Sequence, residues 1–478
     1  MAVGFVALSW SLYGGYLTDD SYIHFVYARN FAEGAGLSFN PGEPSYGSTS
    51  PLWVSFLAAG TAAGWATPEF AQAASMFFSA ACIFILAVTA FRVGTNRAAQ
   101  LLPPLVLAAD PWFQRWSVSG MEVGLAPLLV LLGFYGIVAE PRRSATTVGS
   151  GVFMGLALLA RPEVALLIAL TGLCLIVLRR AKELVQFGAG VAVPVGVWIV
   201  FAYLHFGTII PNSFVVKTRQ TPSALQSIAD SVAILAASTL IPVVVVVLVL
   251  AMLLVFSKRR AGVEQGSLLL WLVPILWTAG AVAQYSYRGV NVASRYMCLY
   301  SPLLLLCAAW CLNQAPMLLQ RFGVSRRVTG MAGWALVAAA VLQPAAVGVF
   351  TWRNVKTAET SYSQNHHAIA EWISRESEPM ATVGTYDVGI IAYRSRRPIV
   401  DLAGLTDTLA VRNLRLSLPE KIKQGRPAFV VLQGKTEGEF IKRHPEFATH
   451  LEPVFHTEMF WGPGSQSKDI FTVYRGRW

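Results

Sequence analysis

Long uncharged apolar stretches, separated by short polar connections, run through most of the chain. They occupy 1–18, 70–91, 98–109, 123–139, 144–160, 164–178, 184–204, 231–257, 267–287, 296–320 and 328–352. Several approach the roughly 20 residues an α-helix needs to cross hydrocarbon, and the shorter ones can borrow flanking residues or tilt. The pattern predicts a mainly α, polytopic membrane protein with about eleven transmembrane helices. The first run lacks a basic leader and an Ala-x-Ala-like cleavage site, so it is expected to be a retained helix.

Two stretches between the first runs behave differently. In 21–33, Ile23, Val26, Tyr27 and Phe31 recur at helical spacing with His24, Arg29 and Glu33 elsewhere, which predicts a helix lying along a membrane surface. The GAG and NPG turns end it. The stretch 51–66 is apolar enough to cross, but charge argues against that. If it stays at the surface, the loops with Arg92, Arg97, Arg142, Arg143, Arg179, Arg180, Lys182, Lys258, Arg259, Arg260, Arg321, Arg326 and Arg327 share one side, where the acids are few. The positive-inside rule puts that side in the cytoplasm and makes 51–66 a second interfacial helix. The first external loop, 18–69, then lies outside the cytoplasm at a bacterial plasma membrane.

After residue 350 the composition changes to a mixed surface with 17 Lys/Arg and 14 Asp/Glu. That predicts a membrane domain over 1–350 and an extracytoplasmic soluble α/β domain over 351–478, with a helix through 367–374 and strands near 381–383, 398–402 and 428–432.

Composition agrees: 55% of residues are hydrophobic and 13% charged, and the net charge of +11 follows topology rather than a nucleic-acid interface. All five cysteines fall in apolar runs, where they act as small hydrophobes rather than metal ligands or disulfide partners. P-loop, Gly-rich dinucleotide and HExxH motifs are absent, which disfavours a soluble nucleotide donor.

Candidate chemistry gathers on the external side. Asp19 and Asp20 in TDDSYIHF admit two readings. They cap the following helix and favour its dipole, or one is a general base raised by apolar surroundings while the other orients it. His24, four residues after Asp20, shares that helical face. Glu122 in WFQRWSVSGME is either a first-turn acid or a second site acid. Arg161 in ARPE sits at a polar break that is either a hairpin tip or part of the site. Lys217, Arg219, Arg288 and Arg295, beside Tyr285, Tyr287 and Tyr296, suit a phosphate held at the bilayer surface. Acids that deprotonate a hydroxyl and cations that hold a departing phosphate outline a transferase acting on a lipid phosphate. A divalent cation bridging the carboxylates and the phosphate is compatible with such ligands. The competing class is a transporter or flippase for a lipid-linked saccharide, but transporters bury ionisable groups at mid-membrane and these spans carry none.

With these residues in place, the chain resembles the GT-C superfamily of polytopic glycosyltransferases, most closely the membrane arabinofuranosyltransferases that terminate mycobacterial arabinan. The resemblance rests on DDSYIHFVYARNFAEGAGLSFNPGEP, YGSTSPLW, SGME, LLARPE, IIPNSFVVK, SRYMCLYSP and VGTYDVGIIAYRSRRPIVDLAGLTD, in that order. It implies a polyprenyl-phosphate sugar donor, inversion at the anomeric carbon, and a glycan or glycolipid acceptor. It further implies Asp19 or Asp20 as base, Glu122 as a second site acid, and Lys217, Arg295 and Tyr296 near the donor phosphate. Aminoarabinose and mannosyl members carry Asp-Glu where this chain has Asp-Asp, and its tail is smaller than in the arabinosyl enzymes. In that tail Tyr386, Asp387 and Asp401 are candidates for positioning the acceptor.

Overall fold

The computed structural model describes residues 1–139, 144–212, 216, 223–237, 265–290, 292–320, 323, 325–406, 416–460 and 468–478. In chain order the described helices are α1 (Ala2–Tyr13), α2 (Asp19–Ala32), α3 (Pro51–Ala62), α4 (Thr67–Val93), α5 (Arg97–Ala109), α6 (Pro111–Ser117), α7 (Leu125–Ala139), α8 (Ser144–Ala160), α9 (Val164–Val177), α10 (Ala181–Phe206), α11 (Ala224–Ala237), α12 (Gln265–Arg288), α13 (Ser294–Cys298), α14 (Ser301–Gln320), α15 (Arg326–Glu376), α16 (Val388–Ser395), α17 (Leu418–Gly425) and α18 (Glu439–Arg443). Thr67–Val93, Ala181–Phe206, Leu268–Arg288 and Arg327–Val349 are long and apolar enough to cross a membrane, which marks a multi-pass membrane protein. Beyond residue 237, the run expected at 231–257 lies outside the described residues.

The chain forms two compact units. The first joins Met1–Gly14, Ala73–Val200 and Arg219–Val349; the second joins Gly15–Gln72, Phe201–Thr218 and Phe350–Trp478. The loop expected at 18–69 and the tail thus contribute to one unit.

In the first unit, capping and proline set the helix limits. The Asn96 side chain accepts from the Ala99 amide and starts α5. Asp110 accepts from the Trp112 and Phe113 amides and starts α6. The 13 residues of α5 rise only about 20 Å, short of the hydrocarbon thickness. Helices α8 and α10 cross at glycines. A Cβ on Gly151 would lie 2.2 Å from the Phe187 carbonyl oxygen, and one on Gly190 would lie 2.2 Å from that of Val148. One turn on, a Cβ on Gly155 would meet Pro194 at 2.6 Å. This G-x-x-x-G face lets backbones approach closely, the usual substitute for hydrophobic driving force between helices in lipid. The five cysteines are free and buried.

The second unit carries a five-stranded sheet of β1 (Val383–Thr385), β2 (Ile399–Asp401), β3 (Phe429–Gly434), β4 (Leu451–Phe460) and β5 (Lys468–Gly476), in the order β2-β1-β3-β5-β4. β1 runs parallel to β2 and β3, and β5 antiparallel to β3 and β4. Leu402, Ile422, Val430, Leu432, Phe447, Leu451 and Tyr474 form one of its cores. β1 to β3 correspond to the strands expected from the sequence, while β4 and β5 were not anticipated. The separate span and helix expected at 328–352 and 367–374 are one continuous helix, α15.

The loop segment is woven into this α/β framework. Asn40 donates from Nδ2 to the Ile399 carbonyl and accepts the Ile399 amide, both at 2.9 Å, satisfying the exposed edge of β2. The guanidinium of Arg29 donates to the Tyr393 carbonyl at 3.0 Å and lies over its ring. Helix α2 differs from the expected one-sided amphipathic helix. Every residue from Ser21 to Ala28 is buried, as is Asn30, because α3 and α16 pack against it.

Gly151→Ala should lower the melting temperature of the purified protein through a loss of about 1–3 kcal/mol, since a backbone atom cannot yield to the new methyl. Gly149→Ala, with open space around its Cβ position, should be neutral or slightly stabilising.

Candidate functional site

The start of α2 separates the two adjacent acids. Thr18 is the N-cap: its Oγ1 accepts the Ser21 amide at 3.1 Å. Asp19, the first helical residue, turns its carboxylate to α16, where Oδ2 accepts the Gly389 amide at 3.0 Å and Oδ1 the Ile390 amide at 2.7 Å. Only glycine fits at 389, because a Cβ there would lie 1.9 Å from the Asp19 carbonyl oxygen. Capping is therefore present, but Asp19 caps a helix about 370 residues away in sequence. Asp387, at the N-cap position of α16, makes no capping bond. Its Oδ2 instead lies 3.2 Å from His366 Nε2, while His366 Nδ1 lies 2.9 Å from the Tyr362 carbonyl. A carbonyl only accepts, so Nδ1 carries a hydrogen. Nε2 then faces a carboxylate oxygen, and a second proton must lie between them.

Electrostatics agrees. Burial first, then the Asp387 charge, lifts the Asp19 carboxyl to about 7, against the opposing effects of His366 and the two amides. Burial alone would depress His366, but the hydrogen bond and charge of Asp387, followed by the Asp19 charge, outweigh it and raise its pKa. Burial, then the Asp19 and Asp387 charges, raises Tyr362 as well. Asp19 and His366 therefore keep their protons to higher pH than the separated groups would. Asp20 is half-buried beside it. His24 points into the core, its Nδ1 3.4 Å from the Ser48 hydroxyl.

The first unit holds the other group. Glu122, in the turn before α7, pairs through Oε1 with Arg161 Nε at 2.7 Å, and both side chains are almost wholly buried. Arg161 follows the end of α8, so ARPE is the tip between α8 and α9 and at the same time carries an inward-facing guanidinium. The Arg161 guanidinium lies 5.7 Å from the Tyr296 ring centre. Arg295 stands 5.3 Å from that ring and 5.4 Å from Trp116, while Arg115 lies 4.9 Å from Trp116. Trp116 is fixed by an Nε1 bond to Ser294 Oγ at 2.8 Å. Nearby, the Tyr285 hydroxyl donates to Glu163 Oε1 at 3.2 Å. Arg161 Nη2 is buried with no hydrogen-bond partner among the described residues. Aromatic faces hold three guanidinium groups here in fixed orientations, which is how anionic oxygens are bound with geometric precision.

Glu122, Arg161, Arg295 and Tyr296 thus come together in the first unit, and Asp19 and Asp20 in the second with His24 in the core nearby. Lys217 and Arg219 lie outside the described residues. Sequence reading did not single out Tyr362, His366, Trp112, Trp116 or Ser294. The i, i+4 spacing of Tyr362 and His366 was the available signal for that pair. No group of three or more His, Cys, Asp or Glu among the described residues suits a metal ion. The cation considered from sequence would bridge Asp19 and Asp20, and both oxygens of Asp19 already accept backbone amides.

Residues 353–474 match the family model described as "Domain of unknown function (DUF8728)", and no curated protein matches the chain by sequence. Among solved structures, ArnT from Cupriavidus metallidurans bound to undecaprenyl phosphate aligns over 98% of this chain and 97% of its own, with a TM-score of 0.63 and 16% identity. AglB from Archaeoglobus fulgidus, in complex with an inhibitory peptide and a dolichol-phosphate, aligns over 90% and 68%, with a TM-score of 0.56 and 11% identity. The arabinofuranosyltransferase AftD from Mycobacteria aligns over 98% of this chain and 39% of its own, with a TM-score of 0.54 and 14% identity. All three are GT-C glycosyltransferases, and the chain shares their fold.

Removing one partner of the Glu122–Arg161 pair strands a buried charge. Glu122→Ala should cost about 3–5 kcal/mol, read as a lower melting temperature, and Glu122→Met combined with Arg161→Met should recover much of the loss.

Proposed function

We propose that the protein is an inverting membrane glycosyltransferase. It moves a sugar from a polyprenyl-phosphate donor to a hydroxyl of a cell-envelope glycan or glycolipid, on the extracytoplasmic face of a bacterial plasma membrane. The observation that carries this reading is the buried Arg161 Nη2, which has no hydrogen-bond partner among the described residues, with Arg161 and Arg295 both against the Tyr296 ring and Arg295 against Trp116. Such a group needs an anion, and the full-length likeness to ArnT bound to undecaprenyl phosphate supports a lipid phosphate as that anion. The likeness to AftD, described as an arabinofuranosyltransferase, favours a pentofuranose such as arabinofuranose.

Each residue then has a role. Asp20 takes the acceptor's hydroxyl proton, the acceptor oxygen forms a bond to the anomeric carbon from the opposite face, and the anomeric C–O bond to phosphate breaks with its electron pair. Arg161 and Arg295 stabilise the added charge on the departing phosphate, with Lys217 as a further cation and Tyr296 and Trp116 holding the arginines in place. Glu122 orients Arg161 rather than acting as a second acid, because it is already neutralised. Asp20 is preferred over Asp19 as base because both Asp19 oxygens accept backbone amides. His24 supports α2 from the core.

Purified protein in lipid nanodiscs, supplied with a panel of polyprenyl-phosphate sugars and a glycan acceptor, tests the reading. Transfer should be detected with at least one donor, and Asp20→Asn should lower kcat about a hundredfold or more. Arg295→Ala should weaken donor use roughly tenfold or more through loss of a charge-assisted contact. Consumption of none of the donors, or full activity in Asp20→Asn, would overturn it.

A further inference from the structure

The two acids at the start of α2 have different surroundings, and this difference reaches beyond the assignment of a base. Asp19 joins α2 to α16 through two amide bonds at 3.0 and 2.7 Å. A glycine at 389 is the only residue that permits so close an approach. Around that joint, Arg29 holds the carbonyl of Tyr393, Tyr22 packs on the Tyr393 ring, and Asn40 closes the β2 edge. A Cβ on Gly47 would lie 2.8 Å from the Leu405 carbonyl oxygen. The acid-bearing loop and the tail are therefore closely apposed along several elements, and the carboxylate whose two oxygens both accept amides of α16 belongs to the acid pair itself.

We propose that Asp19 is a positioning residue: by capping α16 it docks the tail onto the first turn of α2, and this docking fixes the backbone from which Asp20 acts. The inference rests on the reading of Asp20 as base. The tail is then a structural part of the catalytic site rather than an appended module.

The groups facing Asp19 give the docking a pH dependence with a definite sign. They are Asp387 ahead of α16, His366 and Tyr362 on α15, and Asp20 on α2 itself. The Asp19 carboxyl is raised from 3.8 to about 7 in the docked state. A group raised on docking favours the docked state fully below its undocked pKa, and that contribution is lost as pH rises towards the docked value. His366 is also raised and acts in the same direction. Through Asp19, docking should weaken by up to roughly tenfold per pH unit between about pH 4 and 7, and His366 extends the loss in the same direction at higher pH.

Hydrogen exchange of the 388–395 amides in the full chain in nanodiscs, without substrate, tests the docking directly. Asp19→Ala should speed exchange at Gly389 and Ile390 roughly five- to tenfold, the scale of a lost helix cap, whereas Asp20→Ala should leave it unchanged. Asp19→Asn, an uncharged isostere, should keep most of the protection. It should also reduce its pH dependence, after correction for intrinsic rates. In the transfer assay, Asp19→Ala should lower kcat with little change in the donor KM, and Asp19→Asn should restore a substantial part of the lost activity. Unchanged exchange in Asp19→Ala would overturn the proposal, as would an Asp19→Asn enzyme as inactive as Asp20→Asn. Because exchange is read without substrate, it stands or falls apart from the assignment of the reaction.

Discussion

Taking an ionised group out of water costs several kcal/mol unless hydrogen bonds or an opposite charge replace the lost solvent, and this constraint organises both charged clusters. In the first unit the replacement is a counter-ion: Glu122 sits on one edge of Arg161, and tyrosine and tryptophan faces hold the remaining arginines. In the second unit it is backbone amides and a histidine: Asp19 lies on the start of α16 and Asp387 on His366. The same physical demand therefore produces a fixed cationic group in one place and a proton-sharing group in the other.

The two groups also differ in how they respond to pH. Arginine does not titrate near neutrality, so it supplies constant positive potential to a phosphate. In the second unit burial first, and then the charge of Asp387, hold the Asp19 carboxyl above its ordinary range.

How much of this was legible in the sequence depended on distance along the chain. Apolar runs placed α4, α9, α10 and α12 well, because length and hydropathy act locally. The strands β1 to β3 stood out as short apolar runs between turn residues. β4 did not, since its exposed face carries Glu452, His456 and Glu458, as an edge strand in a soluble sheet should. The continuity of α15 was hidden by the charges after residue 352, which look like a domain boundary but are compatible with an uninterrupted helix. ARPE was open between hairpin tip and site because it is both: the backbone turns while the Arg161 side chain points inward. The capping reading of Asp19 and Asp20 named the right interaction and the wrong helix. No local pattern could reveal a partner at residue 389, and the burial of α2 follows from that distant segment together with α3.

The paired acids also bear on one of the two places where the sequence departs from the family it resembles. An Asp in the second position is one methylene, about 1.5 Å, shorter than the Glu of the Asp-Glu members. A general base has to come within hydrogen-bond reach of the proton it takes, so a shorter side chain demands a backbone set correspondingly nearer. Tightening the first turn of α2 against α16 is a direct way to set it. Asp19 has the right length for that task, since its oxygens reach two successive amides while its own carbonyl sits against Gly389. A longer first acid would push α16 away, and a larger residue at 389 would do the same. Asp19 and Gly389 are therefore fitting parts of one joint, in which a short acid meets a residue without a Cβ.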